Sequence, residues 1–395
     1  MTLAAGTTTN GLIRQVQKAL GEKSQVAQFV PLLYDHNGLD GDDTPSPAWL
    51  AGNAREAFAF IAEKPRRKHK LRVRGAVAAD GKPESTIVEI LNDDMPFLVD
   101  SVLGELQARG LPVRFLLHPI FKTERDKAGD LQALLGPGDQ NWNDGHQESY
   151  IAIHLPALPE TVHRDLAKAL SDILVSVRVV VADWQPMLQQ VQAAIRHLEA
   201  GPPGVPAGEL RESIAFLRWL EAGNFTFLGL REYRFSGQLE KGDLVPSAKA
   251  GLGVLRDQSV HVLRRGAELV DMTPEIRRFY AAPAPLIITK ANVISRVHRR
   301  VHMDYVGIKT YRSDGTLDGE IRIVGLFTSQ AYVRSPREIP FLRHKAETVL
   351  KLSGYPAASH AGKALMNVLE TFPRDELFQI DPVQLQHWSE GILDL

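Results

Sequence analysis

The segment STIVEILNDDMPFLVDSVLGELQARGLPVRFLLHPIF, residues 85–121, constrains the fold most, because its hydrophobic period changes twice within one short stretch. Ile87, Val88, Ile90 and Leu91 form a β-branched apolar run that ends at Asn92, Asp93 and Asp94. Pro96 follows, where a first helical turn tolerates a missing N–H, so Asp94 is the candidate N-cap. Leu98, Val102 and Leu106 then recur at helical spacing up to Gly110, and Val113, Phe115 and Leu117 alternate as a strand. A second half repeats this pattern. Tyr150–Leu155 is an apolar strand, Val162, Leu166, Leu170 and Ile173 or Leu174 mark one helix face after Pro159, and Val177–Val181 reads as a closing strand. Residues 84–183 thus spell βαββαβ, the α+β, ferredoxin-like plan with two helices on one face of a four-stranded antiparallel sheet. The polar connection at 123–147 is long for that plan and reads as an interaction loop or a disordered one.

The flanks divide the rest. Residues 10–63 carry helical patterns broken by HNGLDGDDTPSP, a small helical cap, and PRRKHKLRVR at 65–74 links it to the α+β domain. No aromatic residue interleaves with that basic run, which favours a solvated linker or a charged strand edge over a base-stacking surface. Met187, Val191, Ile195 and Leu198 give a helix that ends at GPPGVPAG, residues 201–208, the main domain boundary. Beyond a further helix (Leu210, Ile214, Leu217, Leu220) come short strands at Phe225–Phe235, Val260–Arg264, Leu286–Lys290, Met303–Tyr311 and Glu320–Thr328, the last two joined by the hairpin signal RSDGTLDG. From Pro340 two amphipathic helices follow. The expected division is 1–75 cap and linker, 76–184 ferredoxin-like domain, 185–208 connecting helix and linker, 209–335 antiparallel-sheet domain and 336–395 helical connection.

Composition excludes more than it suggests. A formal net charge of -1 gives no global pull toward nucleic acid or membrane, and neither is expected as a partner. No apolar run approaches the roughly 18 residues of a spanning helix, and the start MTLAAGTTTNGLIRQ lacks a signal peptide's basic head and apolar core, so a cytoplasmic location is expected. With no cysteine there are no disulfides, thiolate metal sites or Cys nucleophiles. GPGDQN at 136–141 and GLGVLR at 251–256 both lack the third glycine of a dinucleotide loop, and the P-loop, H-E-x-x-H and G-x-S-x-G patterns are absent. No catalytic, cofactor-binding or metal-ligating residue is expected in this chain.

One polar constellation stands apart from these motifs. His298 and His302 are four residues apart, the spacing of two ligands on a helix, but Arg296, Arg299 and Arg300 repel a divalent cation and the segment reads as strand. A contact for an anion or an acidic partner suits Arg296, His298, Arg299, Arg300 and His302 better.

Three runs carry a family resemblance. LNDDMPFLVDSV, DYVGIKTYRSDGTLDGEIRIVGLFTSQAY and LETFPRDELFQID, spread over residues 85 to 381, resemble the amino-terminal region of the large bacterial NAD-specific glutamate dehydrogenases. The resemblance implies an ACT-like domain at 76–184, a PAS-like domain at 209–335, and a dehydrogenase domain downstream. It implies, for the whole enzyme, oxidative deamination of L-glutamate to 2-oxoglutarate and ammonia with NAD as cofactor, the present chain being inactive and binding no NAD. The implied partners are the chain's own downstream catalytic domain, further copies in a homo-oligomer, and an amino-acid effector. In ligand-binding ACT domains the effector meets backbone N–H groups at the turn into the first helix, so Asn92, Asp93, Asp94, Met95, Pro96, Phe97, Asp100 and Ser101 become the effector or subunit contact. Phe97 stands where such domains carry a glycine, and its bulk argues against direct amino-acid binding. A free-standing metabolite sensor or scaffold with no enzyme attached is the alternative reading.

Overall fold

Three helices open the chain: α1 (Thr9–Leu20), α2 (Gln25–Tyr34) and α3 (Pro47–Ile61). Ser46 starts the third, its hydroxyl accepting the Trp49 N–H at 3.3 Å with Pro47 in the first helical position. In this computed structural model the described residues are 9–34, 45–77, 83–135, 146–236, 243–265, 268–270 and 273–393. They fall into two compact units, one of residues 1–177 with 296–299 and one of residues 178–295 with 300–395.

The first unit continues with β1 (Lys70–Val77), β2 (Pro83–Asp93), α4 (Leu98–Ala108), β3 (Phe115–Leu117), β4 (Ile120–Arg125), β5 (Leu131–Leu135), β6 (His146–Pro156) and the start of α5 (Glu160–Glu199). Its sheet runs β1-β2-β6-β4-β5 with β3 also on β6, every pair antiparallel. That is a ferredoxin-like layout with one substitution. The expected closing strand Val177–Val181 does not exist, because α5 runs unbroken through those residues. Leu166, Leu170, Ile173, Leu174, Val177, Val180, Met187, Val191, Ile195 and Leu198 are all buried, one apolar stripe at helical spacing, and its burial overrides the β propensity of the local valines. The position beside β2 is instead filled by β1, drawn from the basic run, which takes the strand-edge alternative of its two readings. Of the polar connection at 123–147, residues 131–135 form β5, and 136–145 lie outside the described residues.

Both faces of this sheet are covered. Trp49 and Phe60 of α3 reach His154 and Tyr150, and Phe29 of α2 meets Phe121, so α1–α3 share one core with Leu91, Leu117 and Ala152. The opposite face carries Val88, Ile90, Ile151, Ile153 and Leu155, all buried, on the side where Thr86 meets His163 of α5 at 3.3 Å. Arg109 at the end of α4 reaches Asp165 of α5 at 2.6 Å. Gly110 ends α4 as expected, in the left-handed region at φ 67 with its N–H on the Gln107 carbonyl.

The second unit holds the remainder of α5, α6 (Ala207–Trp219), β7 (Phe225–Ser236), β8 (Asp243–Pro246), β9 (Leu252–Gly253), a hairpin of β10 (Leu263–Arg265) and β11 (Glu268–Val270), and α7 (Pro274–Ala281). Strands β12 (Leu286–Ile294), β13 (His302–Tyr311) and β14 (Leu317–Phe327) follow, then α8 (Ser329–Val333), α9 (Leu342–Leu352), α10 (His360–Thr371), α11 (Arg374–Gln379) and α12 (Pro382–Leu393). The antiparallel sheet is ordered β12-β13-β14-β7-β8, with β9 also on β7. GLGVLR is β9 and a tight turn. Asp183 of α5 accepts the Gly253 N–H at 2.7 Å and pairs with Arg256, and a Cβ on Gly253 would lie 2.1 Å from the Leu228 carbonyl oxygen. Its glycines therefore serve close strand approach. Among the described residues no helix is long and apolar enough to cross a membrane.

Two buried groups give measurable consequences. Glu89 on β2 is held by Arg72 at 2.6 Å and Arg74 at 2.8 Å, and accepts the Tyr150 hydroxyl at 2.9 Å. Burial pushes its carboxyl up, but the two guanidiniums outweigh that and hold it below the usual range. Glu89→Ala strands these donors and is expected to cost on the order of 3 kcal/mol, read by urea unfolding. His154, wedged between Trp49 and Phe115, is pushed down from 6.5 to about 4 by burial and then by the charge of Arg74. Its contribution is fully present above pH 6.5 and is lost as pH falls toward 4, because only the unfolded chain takes up the proton in that window. The loss amounts to about 3 kcal/mol. His154→Phe is expected to flatten this acid limb in a pH series of unfolding curves.

Candidate functional site

The turn from β2 into α4 carries the residues that sequence analysis singled out. Asn92 is buried, and its amide donates to the Asp93 carbonyl at 2.8 Å. Asp94 does not cap the helix: its N–H donates to the Gln147 carbonyl and its carboxylate accepts the Ser149 hydroxyl at 2.6 Å. Pro96 and Phe97 add a turn that delays the helix to Leu98, so Phe97 holds the N-cap position without a side-chain cap, at φ 75. Met95 is half-buried and Pro96 exposed. Left-handed backbone in a bulky residue is sparsely populated and needs surrounding contacts to hold it.

Those contacts come from residues 296–299, which cluster with the first unit. The Ser101 hydroxyl donates to the Phe97 carbonyl at 2.5 Å and accepts the His298 backbone N–H at 2.9 Å. His298 Nδ1 lies 3.0 Å from the Asp100 carboxylate, and its ring packs 5.1 Å from that of Phe97. His298 is itself left-handed, at φ 64. The two constellations singled out from sequence thus meet at Phe97, Asp100, Ser101 and His298. Arg296, Arg299 and Arg300 are exposed, and His302 opens β13 with Nδ1 3.2 Å from the Ala291 carbonyl.

Two clusters escaped the sequence reading. Asp93, His146 and Glu148 bring potential ligand atoms within 4.8 Å of one another. Their centre is taken by the Lys64 ammonium, which pairs with Asp93 and lies 2.9 Å from Glu148, while Arg125 binds Glu148 at 2.8 Å. A divalent cation would have to evict a lysine, so this donor set fits a structural ion-pair cluster better than a metal. In the second unit, Glu320 has no exposure and accepts the Tyr305 hydroxyl at 2.5 Å, the Tyr280 hydroxyl at 3.2 Å and Arg322 Nε at 3.0 Å. Arg322 stacks 4.1 Å from the Tyr233 ring centre. Gly307 makes room for the carboxylate, since a Cβ there would stand 2.2 Å from Glu320 Oε1. Burial, and then the nearby carboxylate, push the Tyr280 hydroxyl up. Glu and Arg two apart in the apolar strand GEIRIVGLF were the available signal for this network.

These features define a class, an α+β unit on a ferredoxin-like antiparallel sheet. Residues 29–170 match the glutamate dehydrogenase ACT1 domain and residues 339–395 match glutamate dehydrogenase helical motif 1. The chain is 36% identical over 313 residues to the NAD-specific glutamate dehydrogenase of Halomonas elongata, an alignment covering 78% of this chain and 19% of that protein. It is 37% identical over 367 residues to that of Pseudomonas aeruginosa, covering 91% of this chain and 22% of that protein, and 25% identical over 312 residues to that of Mycobacterium tuberculosis, covering 78% and 18%. The chain belongs to the large NAD-specific glutamate dehydrogenase family, as an amino-terminal region of it. It spans about a fifth of the length of these relatives.

The clasp at α4 makes its own prediction. Ser101→Ala removes the acceptor of the His298 N–H and one tie on the strained Phe97 carbonyl. A loss of about 1–3 kcal/mol is expected, with enhanced amide exchange at residues 97–101 as the reporting signal.

Proposed function

We propose that this chain is the non-catalytic regulatory and assembly region of an NAD-specific glutamate dehydrogenase, whose complete form converts L-glutamate, NAD and water to 2-oxoglutarate, ammonia and NADH. The observation that carries the reading is the ACT1 match falling on a ferredoxin-like sheet, followed in the same chain by the helical motif. Strand pairing supports it too: among the described residues every named pair of strands is antiparallel, which is not the parallel βαβ setting of a dinucleotide site. NAD would then be held by the downstream catalytic domain. We read the second unit as PAS-like, on its antiparallel sheet with a helix-bearing connection between β8 and β12.

Regulation in this reading is indirect. Phe97 and the residue 296–299 segment fill the turn that an effector would use in an ACT domain, so a ligand there must first displace the clasp. A bistable contact of that kind couples binding to a remote site as a shift between two packings. Homo-oligomer contacts and the catalytic domain are the surfaces that would receive it.

Glutamate-dependent NADH formation, measured on this chain and on the complete product of the reading frame that encodes it, tests the proposal. Activity is expected only in the complete product, where His298→Ala should shift half-saturation by about threefold with little change at saturating glutamate. Activity in this chain alone refutes the reading, and activity in neither favours a free-standing sensor or scaffold.

A further inference from the structure

The last helix of the second unit, α12, is apolar on two sides. Asp381 starts it, its carboxylate accepting the Val383 N–H at 2.8 Å, with Pro382 in the first helical position where no N–H is needed. Leu385, which is buried, and Leu393 belong to the core that includes Leu342 of α9 and Leu365 and Leu369 of α10. That face seats α12 in its own chain. Gln384, His387, Trp388, Gly391 and Ile392 recur at helical spacing on another face, and all five are exposed. Trp388 and Ile392 keep 43% and 46% of their surface in water. With Phe372 from the end of α10, the residues His387, Trp388, Glu390, Gly391 and Ile392 line an open groove of about 540 Å³.

Gly391 is the residue that its own chain does not explain. After proline, glycine is the least favourable residue in a helix interior. Gly391 has an ordinary helical backbone, not the left-handed one that would call for glycine. Space does not call for it either, since a Cβ on Gly391 would meet nothing within 4 Å among the described residues. The missing side chain is instead a notch in the exposed stripe, one turn from the bulk of Trp388. A face that joins an exposed tryptophan to a neighbouring notch carries both halves of a helix-packing contact.

A two-fold axis uses both halves at once. When two copies of α12 meet antiparallel about a point between Ser389 and Glu390, Trp388 of each stands opposite Gly391 of the other, so one contact is made twice. His387 and Glu390 flank it on each copy, an N–H donor near a carboxylate acceptor across the seam. The stripe of Gln384, His387, Trp388, Gly391 and Ile392 bears no Lys, Arg, Asp or Glu, so it meets its own image without like-charge repulsion. Resting on the assembly half of the reading above, we propose that this stripe is a contact between two copies of the chain, each Trp388 seated in the groove that Phe372 and Gly391 form on the other copy. One pair of 12-residue helices buries less than the roughly 1,200 Å² of a stable interface. The contact alone therefore gives a weak, concentration-dependent dimer.

Sedimentation equilibrium on the 395-residue chain, between about 1 and 300 µM, tests it. A monomer–dimer equilibrium is expected, weakened about tenfold by Trp388→Ala. Gly391→Leu fills the notch and replaces a poor helix former with a good one, so it is expected to weaken the dimer about tenfold while the thermal midpoint of the dilute monomer stays the same or rises. A purely structural role for Gly391 would lower that midpoint instead. Val383→Ser, exposed but off the stripe, should leave association as it is. Should Trp388→Ala not fold, Gly391→Leu decides alone. The proposal is overturned if the chain stays monomeric over that range, and shielding of Trp388 from acrylamide in the complete product would then assign the stripe to the downstream domain. It is overturned too if the folded variants associate like the parent chain, which places assembly on another surface. No dehydrogenase assay enters, so failure here is distinct from failure of the regulatory reading.

Discussion

A carboxylate with no exposure in the middle of a sheet must be compensated by the strand next to it, and Glu89 imposes that demand on the first unit. Its neighbour β1 meets it with Arg72 and Arg74, while Tyr150 meets it from β6. The same contacts settle where β1 goes. A strand bearing alternate cations has no reason to lie against an apolar surface, but beside Glu89 two of those cations become ligands of a buried anion. Their stems still do apolar work, since Lys70 and Arg72 both sit 4.9 Å from the Phe60 ring centre. Sheet completion, the seating of α3 and the neutralisation of Glu89 are therefore one arrangement.

The sequence showed the α+β character, the β2–α4 turn and the Gly110 stop, because these depend on local period and on residues with restricted backbone choices. It misled where tertiary context dominates. Val177–Val181 looks like a strand by composition, yet the buried positions on either side continue a single helical stripe, and the stripe is legible only when 160–199 is taken as one window. The basic run read as a solvated linker or a charged strand edge, and the second is what forms. Its partner, one glutamate inside the apolar run STIVEIL, gave no hint of being a buried anion. Asp94 failed as a cap because Pro96 and Phe97 form a further turn, which no spacing rule separates from a first helical turn.

Site residues were legible in kind more than in arrangement. The polar turn at 92–101 and the basic segment at 296–302 were each visible, but nothing in a linear chain says that Ser101 accepts the His298 N–H. Long-range hydrogen bonds between loop backbones leave no periodic trace. The Glu320 network shares this property, since it arises from cross-strand neighbours that register alone brings together. Membership of the large NAD-specific glutamate dehydrogenase family supplies a frame for these parts, while the portion seen is about a fifth of each relative's length.

The placement of β1 also bears on how copies of this region can meet. Among the described residues it is an edge of its sheet, paired to β2 on one side only. In a two-fold contact built by extending the sheet across that edge, each strand meets its own image, so Lys70, Arg72 and Arg74 would be set against the same three cations of the second copy. Glu89 is already committed within its own chain and has no remaining charge to offer across such a seam. The device that completes the fold thus also sets a row of cations, two of them already held by a buried anion, along its margin.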